Sequence, residues 1–165
     1  MKKKSEKFRK ISETLENLCY KMPFPERRFF TVYLARFDTD NNAKGIVEFS
    51  VIEFRKIMEI DPYSDDMDSL RQATDSILNK ITEIPEHDGN SKIVPLLCDC
   101  RILRNNNQIF LSFTPHRDIM PFLTDFKEKL FSNHIWNCFA LESESQILMY
   151  KLLRYYFDLG IVEIN

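Results

Sequence analysis

Apolar side chains recur at three- and four-residue spacing through most of this chain and alternate with polar ones in only a few short segments. The longest helical pattern covers 142–159, where Ile147, Met149, Tyr150, Leu152, Leu153 and Phe157 make a broad stripe opposite Lys151, Arg154 and Asp158. Ser143 with Gln146 three residues on forms a capping box, and Gly160 suits the positive φ that ends a helix. The stripe predicts that this helix belongs to the core, so that Leu152→Ala or Leu153→Ala would destabilise the domain and Lys151→Ala would not. IleValGluIleAsn, 161–165, alternates like an opening strand, which suggests a chain cut from a longer protein.

The preceding segments follow the same logic. Phe8, Ile11, Leu15, Leu18 and Cys19 predict an amphipathic helix over 5–20, interrupted by Pro23 and Pro25. From 25 to 37 strand formers compete with a helical face of Phe30, Tyr33, Leu34 and Phe37; Pro25 and Glu26 suit a first helical turn, and helix is chosen. A loop over 38–45 and a short strand over 46–49 follow, then Ser50 and Glu53 cap a helix running to Met58. After a turn at 61–65, Met67, Leu70, Thr74, Ile77, Leu78 and Ile81 mark the buried side of a second helix, 66–81. A long hairpin is expected next, with strands 93–103 and 108–113 around ArgAsnAsnAsn, then a helix over about 116–131 and a link, 133–141. Helix, strand, helix, turn, helix and hairpin is the order of an α+β winged helix-turn-helix. Here it carries an extra N-terminal helix and a long C-terminal one.

Composition narrows the picture. With 165 residues, 44% of them hydrophobic, the chain can bury one real core, and its scattered cysteines and missing signal peptide fit a reduced, cytoplasmic protein. No apolar run reaches the length of a membrane span. The net charge of −2 hides an asymmetry, because residues 1–28 carry nine Lys/Arg against four Asp/Glu. A solvated N-terminus explains that more simply than a phosphate-binding arm.

Candidate chemistry is sparse. Asp38, Asp40 and Asn42 imitate the start of a calcium loop, but Ala43 and Phe49 stand where Gly and a bidentate Glu are needed. Cys98 and Cys100 share a strand face with Leu96 and Ile102 as small buried hydrophobes, and His87, His116 and His134 lie far apart, so neither metal nor cofactor is expected. With three glycines, no phosphate loop and no nucleophile motif, no enzyme is expected either. DNA binding rests on architecture. The second helix of the pair offers Arg71, Gln72 and Lys80 beside Asp68 and Asp75, and the hairpin tip adds Arg101 and Arg104 beside its asparagines. Two cations against two anions on that helix predict weak binding.

Three segments carry a family resemblance: ValGluPheSerValIleGluPheArgLysIleMetGluIle at 47–60, the run from Ile109 to Glu128, and LeuGluSerGluSerGlnIleLeuMetTyrLysLeuLeuArg at 141–154. In these the chain resembles the initiator replication (Rep) proteins of iteron-containing plasmids, and specifically their first winged-helix domain. Leu141, Ser143, Tyr150, Leu152, Leu153 and Arg154 meet the family's Leu-x-Ser…Tyr-x-Leu-Leu-Lys/Arg signature, whereas Ser145 and Leu148 stand where it often has Tyr and Arg. The resemblance implies two winged helices that bind double-stranded DNA at repeated origin sites and recruit host replication proteins, with dimers repressing their own gene and monomers initiating. It also implies that the first domain makes the homodimer interface, for which the outer edge of the 93–113 hairpin is the expected surface. Residues 1–141 then form the first winged helix, and 142–165 connect to a second, where GlyIleValGlu of 45–48 recurs at 160–163. The alternatives are a winged-helix transcription regulator and a pure dimerisation module.

Overall fold

The computed structural model describes residues 2–40, 42–132, 137 and 139–160. Helix α1 (Lys2–Lys21) buries Ile11, Leu15 and Cys19 along one side. Burial pushes the Cys19 thiol up to about 12, which leaves it an inert core group. Helix α2 (Phe24–Arg36) starts on Pro23, has Pro25 in its first turn, where a missing N–H costs nothing, and ends with Arg36 at its negative pole. Phe29, Phe30, Tyr33 and Leu34 are buried, and this one-sided burial is what lets helix prevail over the strand propensity of the same residues.

Strand β1 (Val47–Ser50) runs directly into α3 (Val51–Ile57), whose first turn is fixed by the Ser50 hydroxyl accepting from the Glu53 amide at 3.1 Å. A turn leads to α4 (Met67–Leu78), capped by the Asp66 carboxylate. Strands β2 (Ile81–Pro85) and β3 (Ser91–Pro95) form a separate antiparallel pair. Strands β4 (Leu97–Asn105) and β5 (Gln108–Pro115) join β1 in a three-stranded sheet of order β1-β5-β4. The β4–β5 turn is Asn106–Asn107, with φ of 44 and 64, the pair of left-handed residues that a two-residue hairpin with matching twist requires. Helix α5 (Met120–Ser132) then packs on α1 and α2, and α6 (Glu144–Asp158) is the last helix.

Aromatic rings tie the sheet to the helix-turn-helix. Phe29 of α2 is wholly buried, with ring centroids 5.0 Å from Phe49 of β1, 5.6 Å from Phe54 of α3 and 4.9 Å from Phe113 of β5. The Tyr33 hydroxyl donates to the Gly45 carbonyl at 3.0 Å, and Gly45 itself, at φ +64, leaves no room for a Cβ beside Phe37.

Several expectations are corrected. Ile81 opens β2 rather than ending a helix: α4 stops at Leu78, and the Lys80 carbonyl accepts from the Leu96 amide at 2.9 Å. The long strand over 93–103 is two strands, because β3 pairs with β2 and only β4 pairs with β5. Leu96 marks the break. A register shift between Leu97 and Asp99 puts Cys98 on the surface and leaves Cys100 half-buried, so the two thiols are not a matched buried pair. The helix expected from about 116 begins at Met120.

The stripe on α6 is corrected as well. Ser143 and Gln146 do form the capping box, but only Ile147 of the stripe is buried, with Tyr150 half-buried beside it. Leu152 and Leu153 are 51% and 47% exposed. The helix rests on the body through Ile147, Tyr150 and Lys151, whose ammonium sits 4.0 Å from the Tyr20 ring centre; at 100° per residue, that contact turns most of the stripe outward. The strand expected at 161–165 lies outside the described residues.

Candidate nucleic-acid interface

The helix-turn-helix is α3, its turn and α4, and the turn is bound together by main-chain carbonyls and arginines. Glu59 adopts φ 59 so that the Ile60 amide reaches back to the Arg55 carbonyl at 2.9 Å and the Glu59 amide to that of Lys56 at 3.3 Å, the double bond of a helix end that usually holds glycine. The buried Arg55 side chain donates to the Asp61 carbonyl at 3.2 Å and the Asp66 carbonyl at 2.8 Å, spanning the turn from end to end. From α2, Arg28 donates to the Lys56 and Ile57 carbonyls at 2.7 and 2.6 Å. These contacts fix the angle of α4. Only Arg55's place inside the Phe54–Ile57 run hinted at such a role, because a cation in an apolar helix needs carbonyls to bury against.

Helix α4 begins where the Asp66 carboxylate accepts from the Asp68 amide at 2.9 Å, a bond that holds its pKa below the usual 3.8. Leu70 and Ile77 face the core, while Asp68, Arg71, Gln72, Asp75 and Asn79 are exposed. Arg71 lies 3.6 Å from Asp68, one turn away, with both side chains largely in water. Lys80 does not extend this face. Its ammonium pairs at 2.6 Å with the buried Glu26 of α2, whose other oxygen accepts from the Ser76 hydroxyl. Because the helix ends two residues earlier, Lys80 folds back on the body.

The wing is the β4–β5 hairpin. Arg101 and Arg104 are exposed, opposite Ser112 and Ile109 respectively, and strand alternation sends them to opposite faces of the sheet. The five sequence-identified residues therefore separate. Arg71 and Gln72 share the outer face of α4, Arg101 and Arg104 flank the wing from two sides, and Lys80 is engaged internally. The structure adds Tyr63, 76% exposed in the turn between α3 and α4.

The calcium-like loop binds itself: Asp38 accepts from the Asp40 amide at 2.9 Å and Asn42 from the Lys44 amide at 3.1 Å. Among the described residues, no group of three or more metal-ligating side chains is assembled, and no helix is long and apolar enough to cross a membrane.

Residues 5–154 match the family described as initiator replication protein, WH1. The chain belongs to that family. It is a plasmid replication initiator, and the α+β fold with its helix-turn-helix and wing is the winged helix of such initiators. No curated protein matches it. In the initiator, the match covers the helix-turn-helix, the wing and most of α6.

Proposed function

We propose that this initiator domain contacts double-stranded DNA at repeated origin sites mainly through phosphates, using α4 and the wing, while a second winged helix reached through α6 reads the bases. The observation that carries this reading is the neutral face of α4, where Arg71 is balanced by Asp68 and Lys80 is paired with Glu26. A helix with so little free positive charge adds orientation more than affinity. In this reading the domain also associates as a homodimer, the dimer represses the initiator's own gene, the monomer initiates with host replication proteins in the cytoplasm, and no catalysis is involved.

Fluorescence anisotropy of an origin-repeat duplex and a scrambled duplex across a salt series tests it. Binding is expected to be weak, salt-sensitive and nearly equal for the two duplexes. Arg71→Ala or Arg104→Ala should weaken both alike and lower the salt slope by about 0.9 for each phosphate that is no longer neutralised. Nanomolar binding selective for the origin duplex at physiological salt would overturn the division of labour. Absence of binding even at low salt would favour a dimerisation module.

A further inference from the structure

We propose that the amide-rich tip of the wing, residues 105–108, gives this domain a preference for A·T base pairs by reading them from the minor groove. This rests on the wing contacting DNA, as in the reading above, and names what its tip meets there.

The end of the hairpin is rich in free donors and bare of negative charge. Strand β1 pairs with β5 only as far as Phe110, opposite Ser50. Beyond that row β4 and β5 form a two-stranded ribbon of Arg104 opposite Ile109 and Asn105 opposite Gln108, closed by the Asn106–Asn107 turn. Every residue from 101 to 108 is exposed, and among the described residues the side chains of Arg104, the three asparagines and Gln108 have no hydrogen-bond or ion-pair partner in the chain. No carboxylate occurs between Asp99 and Asp118. The start of α4 is the opposite case, because Asp65, Asp66 and Asp68 are exposed there and repel phosphates.

Size and chemistry select the minor groove. Paired strands stand about 4.8 Å apart, and the turn with the Asn105–Gln108 pair extends about 7 Å at a rise of about 3.4 Å per residue. The minor groove, about 6 Å wide and about 7.5 Å deep, takes these two rows and stops at the third. Arg104 stands in that third row, so its guanidinium lies at the groove mouth, where a narrow A·T tract has enhanced negative potential. The major groove is wide enough for the whole ribbon and would bring Ile102 and Leu103, 44% and 38% exposed, against its polar walls. On the minor-groove floor an A·T pair offers only acceptors, whereas a G·C pair adds the guanine amino group. One amide can turn its oxygen to that group, but the guanidinium cannot accept, and the amino group fills the depth that the turn occupies. The code is degenerate, so an origin repeat and its scrambled duplex, equal in base composition, are still bound alike. Arg101 lies about 10 Å behind Arg104, on the opposite face of the ribbon and outside the groove.

Fluorescence anisotropy with duplexes of A·T, G·C and inosine·C pairs at one low salt concentration tests this, because inosine lacks the guanine amino group and combines an A·T-like minor groove with a G·C-like major groove. The full chain should bind the A·T and inosine duplexes alike and the G·C duplex about tenfold more weakly. Asn106→Gly/Asn107→Gly keeps the left-handed turn and removes two amides, and Asn105→Ala/Gln108→Ala removes the other two. Each pair of changes should abolish the preference with unchanged melting by circular dichroism, and Arg104→Ala should weaken A·T binding more than Arg101→Ala. An inosine duplex bound like the G·C duplex would put the reading in the major groove and overturn the inference. Equal binding of all three duplexes would also overturn it, with the phosphate contacts left standing. Binding to none of them even at low salt would overturn the phosphate reading as well.

Discussion

Two arginine side chains and one strained stretch of main chain hold the turn of the helix-turn-helix. Glu59 sits at φ 59, where a Cβ meets the following carbonyl at a cost of about 1–2 kcal/mol and where glycine is free of that penalty. Glu59→Gly keeps both main-chain bonds of the helix end and should stabilise the domain by about 1 kcal/mol after the entropy cost of glycine, which raises the melting temperature by about 2–4 °C. Arg55→Ala should do the reverse, because it removes the donor of two part-buried bonds to the Asp61 and Asp66 carbonyls, at about 0.5–1.5 kcal/mol for each bond lost. Thermal melts of the two variants side by side check both signs.

Helix starts were the most legible elements, because caps are written in adjacent residues. Ser50 with Glu53 and Ser143 with Gln146 gave two of the three capped starts that the hydrogen bonds show, the third being Asp66 on α4, and the Asn-Asn turn gave the wing. The β2–β3 hairpin was missed because Ile81 continues the four-residue spacing of Ile77, while a main-chain bond between Lys80 and Leu96, sixteen residues apart, decides its fate. The role of Glu26 was illegible for the same reason: its partners Ser76 and Lys80 come from a distant segment, and periodicity is blind to them. The cap on α4 makes a further prediction. The Asp66 carboxylate is held below its ordinary 3.8, so its contribution is fully present above that pH and lost as pH falls through the lowered value. Asp118, held down by its bond to Lys92, acts with the same sign. Stability measured from pH 6 downward should therefore fall on the acid side of about pH 4, and Asp66→Asn, which retains a capping oxygen without the titration, should make that fall shallower.

How the last helix is seated decides which of its residues matter to the folded domain. Ile147 is 6% exposed, and beside it the Arg27 guanidinium donates to the Leu141 carbonyl at 2.8 Å and Asn137 donates to the Tyr150 hydroxyl at 2.9 Å. Ile147→Ala should cost about 2–5 kcal/mol, while Leu153→Ala, at 47% exposure, should leave the melting temperature of the dilute chain nearly unchanged. Denaturant titrations well below the micromolar range separate the two outcomes; a marked loss of stability from Leu153→Ala would mean that the helix packs inward by another face. The pair between Glu26 and Lys80 reaches furthest. The positive charge of Lys80, just past the end of α4, is held by a carboxylate on α2, so in the proposed interface a change at Glu26 would alter the charge offered beside α4. Under the proposed phosphate contacts, the domain would have a tuning position remote from the duplex, where selection can strengthen or relax binding without rewriting α4.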